Sequence, residues 1–150
     1  MNAREVTYST SATPTEVWKV LADGWSYAAW VVGASRVRAV SENYPQPGAK
    51  LHHSVGAWPA VLSDETEVVE SESLHLLVLE AKSRPIARAK VRIELQPEGA
   101  GTRITMHEDV ISGPARLVPK PMRQAAIHAR NVETLTRLAL LAERATEPRD

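Results

Sequence analysis

Six extended segments followed by one long helical stretch constrain the fold of this 150-residue chain more than any other feature. Turn signals rich in Pro, Gly and Ser separate the segments, and such short links favour antiparallel pairing. The segments are predicted at Ser35–Val40, Lys50–Val55, Ala60–Glu70, Leu74–Lys82, Ile86–Leu95 and Thr102–Ile111. Pro121–Glu143 then repeats apolar residues at helical spacing. The sequence therefore predicts an antiparallel sheet whose apolar face is covered by one amphipathic helix.

The N-terminal segment adds a strand and two short helices. Glu5–Ser11 alternates in the manner of a strand. Thr13 is a suitable N-cap, Pro14 suits the first helical position, and Glu16 completes a capping box. WSYAAW, residues 25–30, is predicted to form a further helical turn. The expected order is one strand, two short helices, six strands and one long helix.

Composition excludes several classes of protein. The formal net charge is zero, which disfavours nucleic-acid binding. The chain has no cysteine, so disulfides, thiolate zinc sites and a cysteine nucleophile are excluded. No secretory signal is visible and the longest apolar run is too short to cross a bilayer, so we expect a cytoplasmic protein without membrane insertion. Its length predicts one domain over residues 1–150, with the last few residues frayed.

The long helix carries an apolar stripe that is rich in alanine. Its members are Met122, Ala125, Ala126, Ala129, Val132, Leu135, Ala139 and Ala142. If this stripe faces the sheet, its small side chains leave space, which predicts a cavity lined by Met122, Ala126 and Ala129.

Three stretches of the chain resemble the SRPBCC superfamily, also described as START-like, helix-grip or pollen-allergen-like. They are TPTEVWKVLAD, YAAWVVGASRVRAV and RNVETLTRLALLAE. WSYAAWVVGAS and LHHSVGAWP are similar to segments of small actinobacterial members of the polyketide cyclase/dehydrase type. The resemblance implies an α+β helix-grip fold, in which a seven-stranded curved antiparallel sheet wraps around a long C-terminal helix. It also implies an apolar pocket between them, but it fixes no reaction.

The two adjacent histidines, His52 and His53, are predicted to point in opposite directions. In a strand, His53 shares the apolar face with Leu51 and Val55, whereas His52 lies on the polar face. The two rings then cannot easily bind one metal ion, and we expect neither a metal site nor a cofactor. His53 has two interpretations, a buried histidine bonded to the protein or a residue that lines the pocket.

Two carboxylates and three aromatic residues complete the set of candidates. Glu108 and Asp64 share apolar strand faces, where they act either as structural acceptors, the interpretation we favour, or as general acid and base. Tyr27 and Trp30 lie on one side of a helical turn, and Trp58 precedes a proline in a tight turn. Each aromatic residue either plugs the core or contacts a ligand, and the resemblance implies that an aromatic residue at position 30 closes the cavity.

Three functions fit these features. The preferred one is binding of a small hydrophobic molecule, aromatic, polyketide-like or lipid-like. The alternative is a polyketide cyclase or dehydratase that uses acid–base enolate chemistry, and the third is an interaction domain with a vestigial pocket. The protein is expected to be a monomer or a homodimer.

The catalytic candidates are His53, Glu108, Asp64 and Tyr27. The predicted ligand contacts are Tyr27, Trp30, His53, Val55, Trp58, Thr66, Leu79, Met106, Glu108, Met122, Ala126 and Ala129.

Overall fold

A seven-stranded antiparallel sheet forms the framework of the protein. The computed structural model describes residues 5–55, 62–83 and 87–144. In chain order the strands are β1 (Glu5–Thr10), β2 (Ala34–Val40), β3 (Lys50–Val55), β4 (Leu62–Glu72), β5 (Leu76–Ser83), β6 (Ala87–Glu98) and β7 (Gly101–Ser112). Their spatial order is β1-β7-β6-β5-β4-β3-β2, so consecutive strands from β2 to β7 pair with each other and β1 pairs with β7.

The helices occupy the predicted places in the chain order. They are α1 (Pro14–Leu21), α2 (Tyr27–Trp30) and α3 (Lys120–Arg144), with 3₁₀ turns at Gly24–Ser26 and Pro114–Leu117. This order confirms the predicted α+β fold class. The Thr13 side chain accepts a hydrogen bond from the Glu16 amide at 3.2 Å, as the predicted N-cap requires. Within the described ranges, no helix is both long and apolar enough to span a bilayer.

The core lies between the sheet and the C-terminal half of α3. Leu135, Leu138, Ala139 and Ala142 of this helix are completely buried. Leu135, Leu138 and Ala142 belong to the same apolar cluster as residues of the central strands, Leu77 on β5 and Ile93 on β6 among them. The chain has no Phe, and its core is built mostly from branched aliphatic side chains.

The predicted inner face of α3 is wrong over the first half of the helix. Met122 is 65% exposed and Val132 is 42% exposed, and Ala126 and Ala129 are also exposed. The buried face begins instead at Asn131 and continues through Thr134, Leu135, Leu138 and Ala142. Two polar residues take inward positions because the protein supplies them with hydrogen-bond partners, and an apolar pattern cannot reveal such positions.

Candidate functional site

A cavity lies between the sheet, α2 and α3, with a volume of about 590 Å³ counted together with its solvent-open mouth. Apolar side chains from three central strands form its floor, and the segment after α2 forms part of its rim. Its lining residues are Tyr27, Trp30, Val31, Val32, Gly33, Ala34, His53, Leu79, Ala81, Val91, Met106, Glu108, Arg130, Asn131 and Thr134. Mostly apolar walls with a few polar groups among them are typical of small-molecule sites.

Half of the predicted contact residues line this cavity. They are Tyr27, Trp30, His53, Leu79, Met106 and Glu108. Their contact with a ligand remains a prediction.

The other predicted residues lie elsewhere or outside the described part of the chain. Met122, Ala126 and Ala129 lie on the exposed face of α3 and do not line the cavity. Thr66 is buried behind the cavity wall. Trp58 and the side chain of Val55 fall outside the described residues, as do residues 145–150, which were expected to fray.

His53 belongs to a buried polar cluster behind the aromatic residues. Its Nε2 atom lies 2.8 Å from the Thr66 hydroxyl, and the Tyr27 hydroxyl lies 3.3 Å from the same oxygen. The Tyr27 ring is 5.0 Å from the His53 ring and 5.4 Å from the Trp30 ring, which it meets edge to face. One threonine hydroxyl therefore connects β4 with β3 and α2.

The two adjacent histidines diverge, as strand alternation predicts. His53 is 3% exposed, whereas His52 is exposed on the opposite face of β3. Within residues 5–55, 62–83 and 87–144, no three His, Asp or Glu side chains are grouped closely enough to hold a metal ion. The pair does not form one site.

Burial keeps both titratable groups of the cluster neutral near pH 7. It lowers the pKa of His53 below its ordinary value, an effect that outweighs the opposing field of Asp64 on the neighbouring strand. Burial also raises the pKa of Tyr27 to about 12. A neutral imidazole and a neutral phenol therefore face the cavity, and each can donate and accept a hydrogen bond.

The lowered pKa of His53 predicts a loss of stability in mild acid. Below the ordinary value of 6.5, the unfolded chain takes up a proton that the folded protein resists. The contribution of His53 is therefore fully present above pH 6.5 and is lost as the pH falls through the lowered pKa. We expect the free energy of unfolding, measured with urea between pH 7.5 and 5, to fall less steeply in His53→Gln. His52→Gln serves as the exposed control, and an unchanged slope in the His53 variant would contradict the assignment.

Glu108 is held by two side chains of α3. Its Oε2 atom accepts hydrogen bonds from the Arg130 guanidinium and, at 3.2 Å, from Asn131 Nδ2. Glu108 is 6% exposed. Because its charge is matched by Arg130, the structural interpretation of Glu108 fits this geometry better than that of a free catalytic base.

Asp64, the other candidate acid, is 4% exposed and does not line the cavity. It lies directly opposite His53 in the pairing of β3 with β4. Its two carboxylate oxygens have no hydrogen-bond partner among the residues that the structure describes. Its charge acts to raise the pKa values of His53 and Tyr27, both of which line the cavity.

Two further buried polar atoms belong to residues of the cavity wall. Trp30 Nε1 and Asn131 Oδ1 find no hydrogen-bond partner in the described part of the chain, although each residue is 1% exposed. A buried polar group without a partner costs about 1–3 kcal/mol.

Sequence reasoning missed the rim of the cavity and its polar α3 residues. Asn131 and Thr134 break the apolar stripe, and nothing in the helical pattern indicates that Arg130 borders the cavity. Thr134 accepts a hydrogen bond from the Val32 amide at 3.3 Å and so fixes the rim. Gly33 has a φ of 98°, a conformation that favours glycine. That glycine, which follows Val31 and Val32 and precedes Ala34, was the available signal for a turn at the rim.

Solved structures of similar shape cover almost the whole chain. Protein NE0264 from Nitrosomonas europaea matches with a TM-score of 0.72 at 20% identity, over 97% of this chain and 98% of that one. The ZhuI aromatase/cyclase from Streptomyces sp. R1128 matches with a TM-score of 0.71 at 17% identity, over 95% and 94%. Ara h 8.0201 matches with a TM-score of 0.70 at 10% identity, over 93% and 96%. At these identities the likeness establishes the fold alone.

Sequence comparison assigns the family. No curated protein matches the sequence. The family profile described as "Polyketide cyclase / dehydrase and lipid transport" matches residues 3–143. With a helix-grip fold and a match over most of its length, the chain belongs to the polyketide cyclase/dehydrase and lipid transport family, within the SRPBCC superfamily.

Proposed function

We propose that this protein binds a small hydrophobic, ring-bearing molecule in the cavity between the sheet and α3. The observation that carries the proposal is the combination of an apolar floor, formed by Leu79, Val91 and Met106, with unpartnered polar atoms on Trp30 and Asn131. Apolar walls supply affinity through burial, and a few fixed polar groups supply orientation. Family membership supports the same class of ligand.

The polar atoms favour a ligand that carries a hydroxyl group or an enol. Trp30 Nε1 can only donate a hydrogen bond, and Asn131 Oδ1 can only accept one. A hydroxyl group both accepts and donates, so it can serve either atom. The charge of Glu108 is matched by Arg130, so a neutral ligand suits the cavity better than an ionised one.

A pair of probes that differ by one hydroxyl group tests this proposal. We expect 2-naphthol to bind more tightly than naphthalene, as measured by titration calorimetry or ligand fluorescence. In Trp30→Phe, which keeps the ring and removes the donor, the advantage of 2-naphthol should fall by roughly fivefold to tenfold. Trp25→Phe is the matched control, since Trp25 is 61% exposed and lies outside the cavity. Equal affinities of both probes for the unmodified protein would contradict the polar half of the proposal.

A second candidate function, acid–base catalysis, is favoured by one observation. His53 lines the cavity, burial lowers its pKa, and its Nδ1 atom has no hydrogen-bond partner among the described residues. A neutral imidazole in that position can remove a proton from a carbon next to a carbonyl.

Exchange of the α-protons of 2-tetralone in D₂O tests the catalytic alternative. If the protein is a catalyst, the α-protons exchange faster than in buffer, as measured by NMR. In His53→Gln the exchange should return to the buffer rate while 2-tetralone still binds. His52→Gln should keep the full rate. If 2-tetralone binds but its α-protons exchange no faster than in buffer, the catalytic alternative is wrong and only the binding function stands.

A further inference from the structure

The chain segment between β7 and the middle of α3 has a charge unlike the rest of the sequence. Residues 110–132 contain no Asp or Glu, although the whole chain has 18 of them. The same segment carries Arg116, Lys120, Arg123 and Arg130, besides His128. Since the whole chain has zero formal net charge, the remaining residues carry the balancing negative excess. One region of a neutral protein is therefore strongly basic.

Large apolar side chains project from this basic region. Leu117, at the end of the 3₁₀ turn, is 87% exposed, and Met122, in the first turn of α3, is 65% exposed. Val118 between them is 43% exposed. Exposed single apolar residues are common, but three within residues 117–122 form a cluster.

The backbone of the segment holds these side chains in fixed positions. The Arg123 guanidinium donates to the carbonyl of Arg116 at 2.9 Å and to that of Val118 at 3.3 Å. Pro114, Pro119 and Pro121 restrict the backbone around the projecting residues. Leu117 and Met122 therefore project from a segment that these hydrogen bonds and prolines hold in place. Arg116 and Lys120 are exposed beside them.

We propose that this surface, defined by Arg116, Leu117, Val118, Lys120 and Met122, docks the protein on the interface of an anionic lipid bilayer. The apolar side chains would enter the headgroup region, and the cations would attract acidic lipids. Lys and Arg near such a surface contribute about 1 kcal/mol each. Docking of this kind needs no membrane-spanning segment.

The shape of the surface favours a lipid bilayer over a protein partner. A side chain that is 87% exposed projects from the fold and lines no groove. A deformable headgroup layer accepts such a projection anywhere, whereas a protein would need a complementary pocket. Flexible cationic side chains around apolar tips are typical of peripheral membrane contacts.

Vesicle co-sedimentation tests the proposal directly. We expect the protein to bind vesicles of phosphatidylcholine with 30% phosphatidylglycerol, and to bind pure phosphatidylcholine vesicles at least tenfold more weakly. Raising NaCl from 50 to 500 mM should weaken the binding. Lys120→Glu should reduce the partition coefficient by more than roughly fivefold because it replaces an attraction by a repulsion. The double change Leu117→Ser and Met122→Ser should reduce it by at least about tenfold.

Matched control variants distinguish an effect of this surface from a general effect of charge or hydrophobicity on vesicle binding. Lys90→Glu on β6 makes the same charge change at another exposed site, and Val69→Ser on β4 removes an apolar side chain that is 43% exposed. Both should bind as the unmodified protein does. A spin-labelled lipid should also broaden the amide NMR signals of residues 115–123 first, which needs no variant. The proposal would be overturned by absence of binding to anionic vesicles, by equal losses in the controls, or by broadening centred elsewhere. Binding of this surface to an acidic protein but not to anionic vesicles would also overturn it.

Discussion

Replacing Ala81 with Trp is expected to weaken binding of 2-naphthol at least a hundredfold. Ala81 lies on β5, where it pairs with Thr66 on β4 and Ala89 on β6, and its small side chain lines the cavity. An indole at this position would occupy the space that the proposed ligand needs. Because the new ring fills open space as well as pressing on neighbours, the cost in unfolding free energy should stay within about 1–3 kcal/mol.

Ala126→Trp is the matched control for this cavity-filling variant. It makes the same change on the exposed face of α3, outside the cavity. We expect full affinity for 2-naphthol in Ala126→Trp, measured in the same titration, and a melting curve close to that of the unmodified protein. Full affinity in Ala81→Trp, with the protein folded, would place the binding site elsewhere.

Replacing Thr66 with Val is expected to lower the free energy of unfolding by about 2–4 kcal/mol, because it leaves two buried polar groups without their shared partner. The Thr66 hydroxyl lies 2.8 Å from His53 Nε2 and 3.3 Å from the Tyr27 hydroxyl. Valine has nearly the same shape and suits a strand, so packing and propensity change little. Urea denaturation at pH 7.5 measures the loss with His53 neutral before and after the change.

Thr7→Val provides the comparison, since Thr7 is an exposed residue of β1. A surface change of this kind should stay within about 0.5 kcal/mol. If Thr66→Val cost no more than Thr7→Val, the cluster of His53, Thr66 and Tyr27 would not be a stabilising network. Binding of 2-naphthol should also weaken in Thr66→Val, because His53 and Tyr27 lose the contact that fixes their rings.

The sheet could be predicted from the sequence because its signals are local. Strand alternation, the turn residues between strands and the Thr13 cap each act over a few residues. The same alternation predicted that His53 is buried and His52 exposed, and both positions are confirmed. This period of two residues holds along β3, which pairs with β4 without a register shift, whereas the bulges in the pairing of β2 with β3 break the alternation along β2.

The polar side of the cavity could not be predicted in the same way. Asn131 and Thr134 are buried because Glu108 and the Val32 amide lie opposite them, and those partners are distant in sequence. An apolar pattern alone assigned the inner face to Met122, Ala126 and Ala129. The real face is rotated toward Asn131, and the first turns of α3 carry the exposed basic surface instead.

Intermolecular nuclear Overhauser effects in the complex with 2-naphthol test the central claim most directly. We expect contacts from the naphthol ring protons to the Trp30 indole N–H, the Leu79 methyl groups and the Met106 methyl group, all from the cavity wall. Contacts only to exposed residues such as Met122 or Ala126, or no contacts at a concentration that saturates binding, would contradict a ligand site between the sheet and α3.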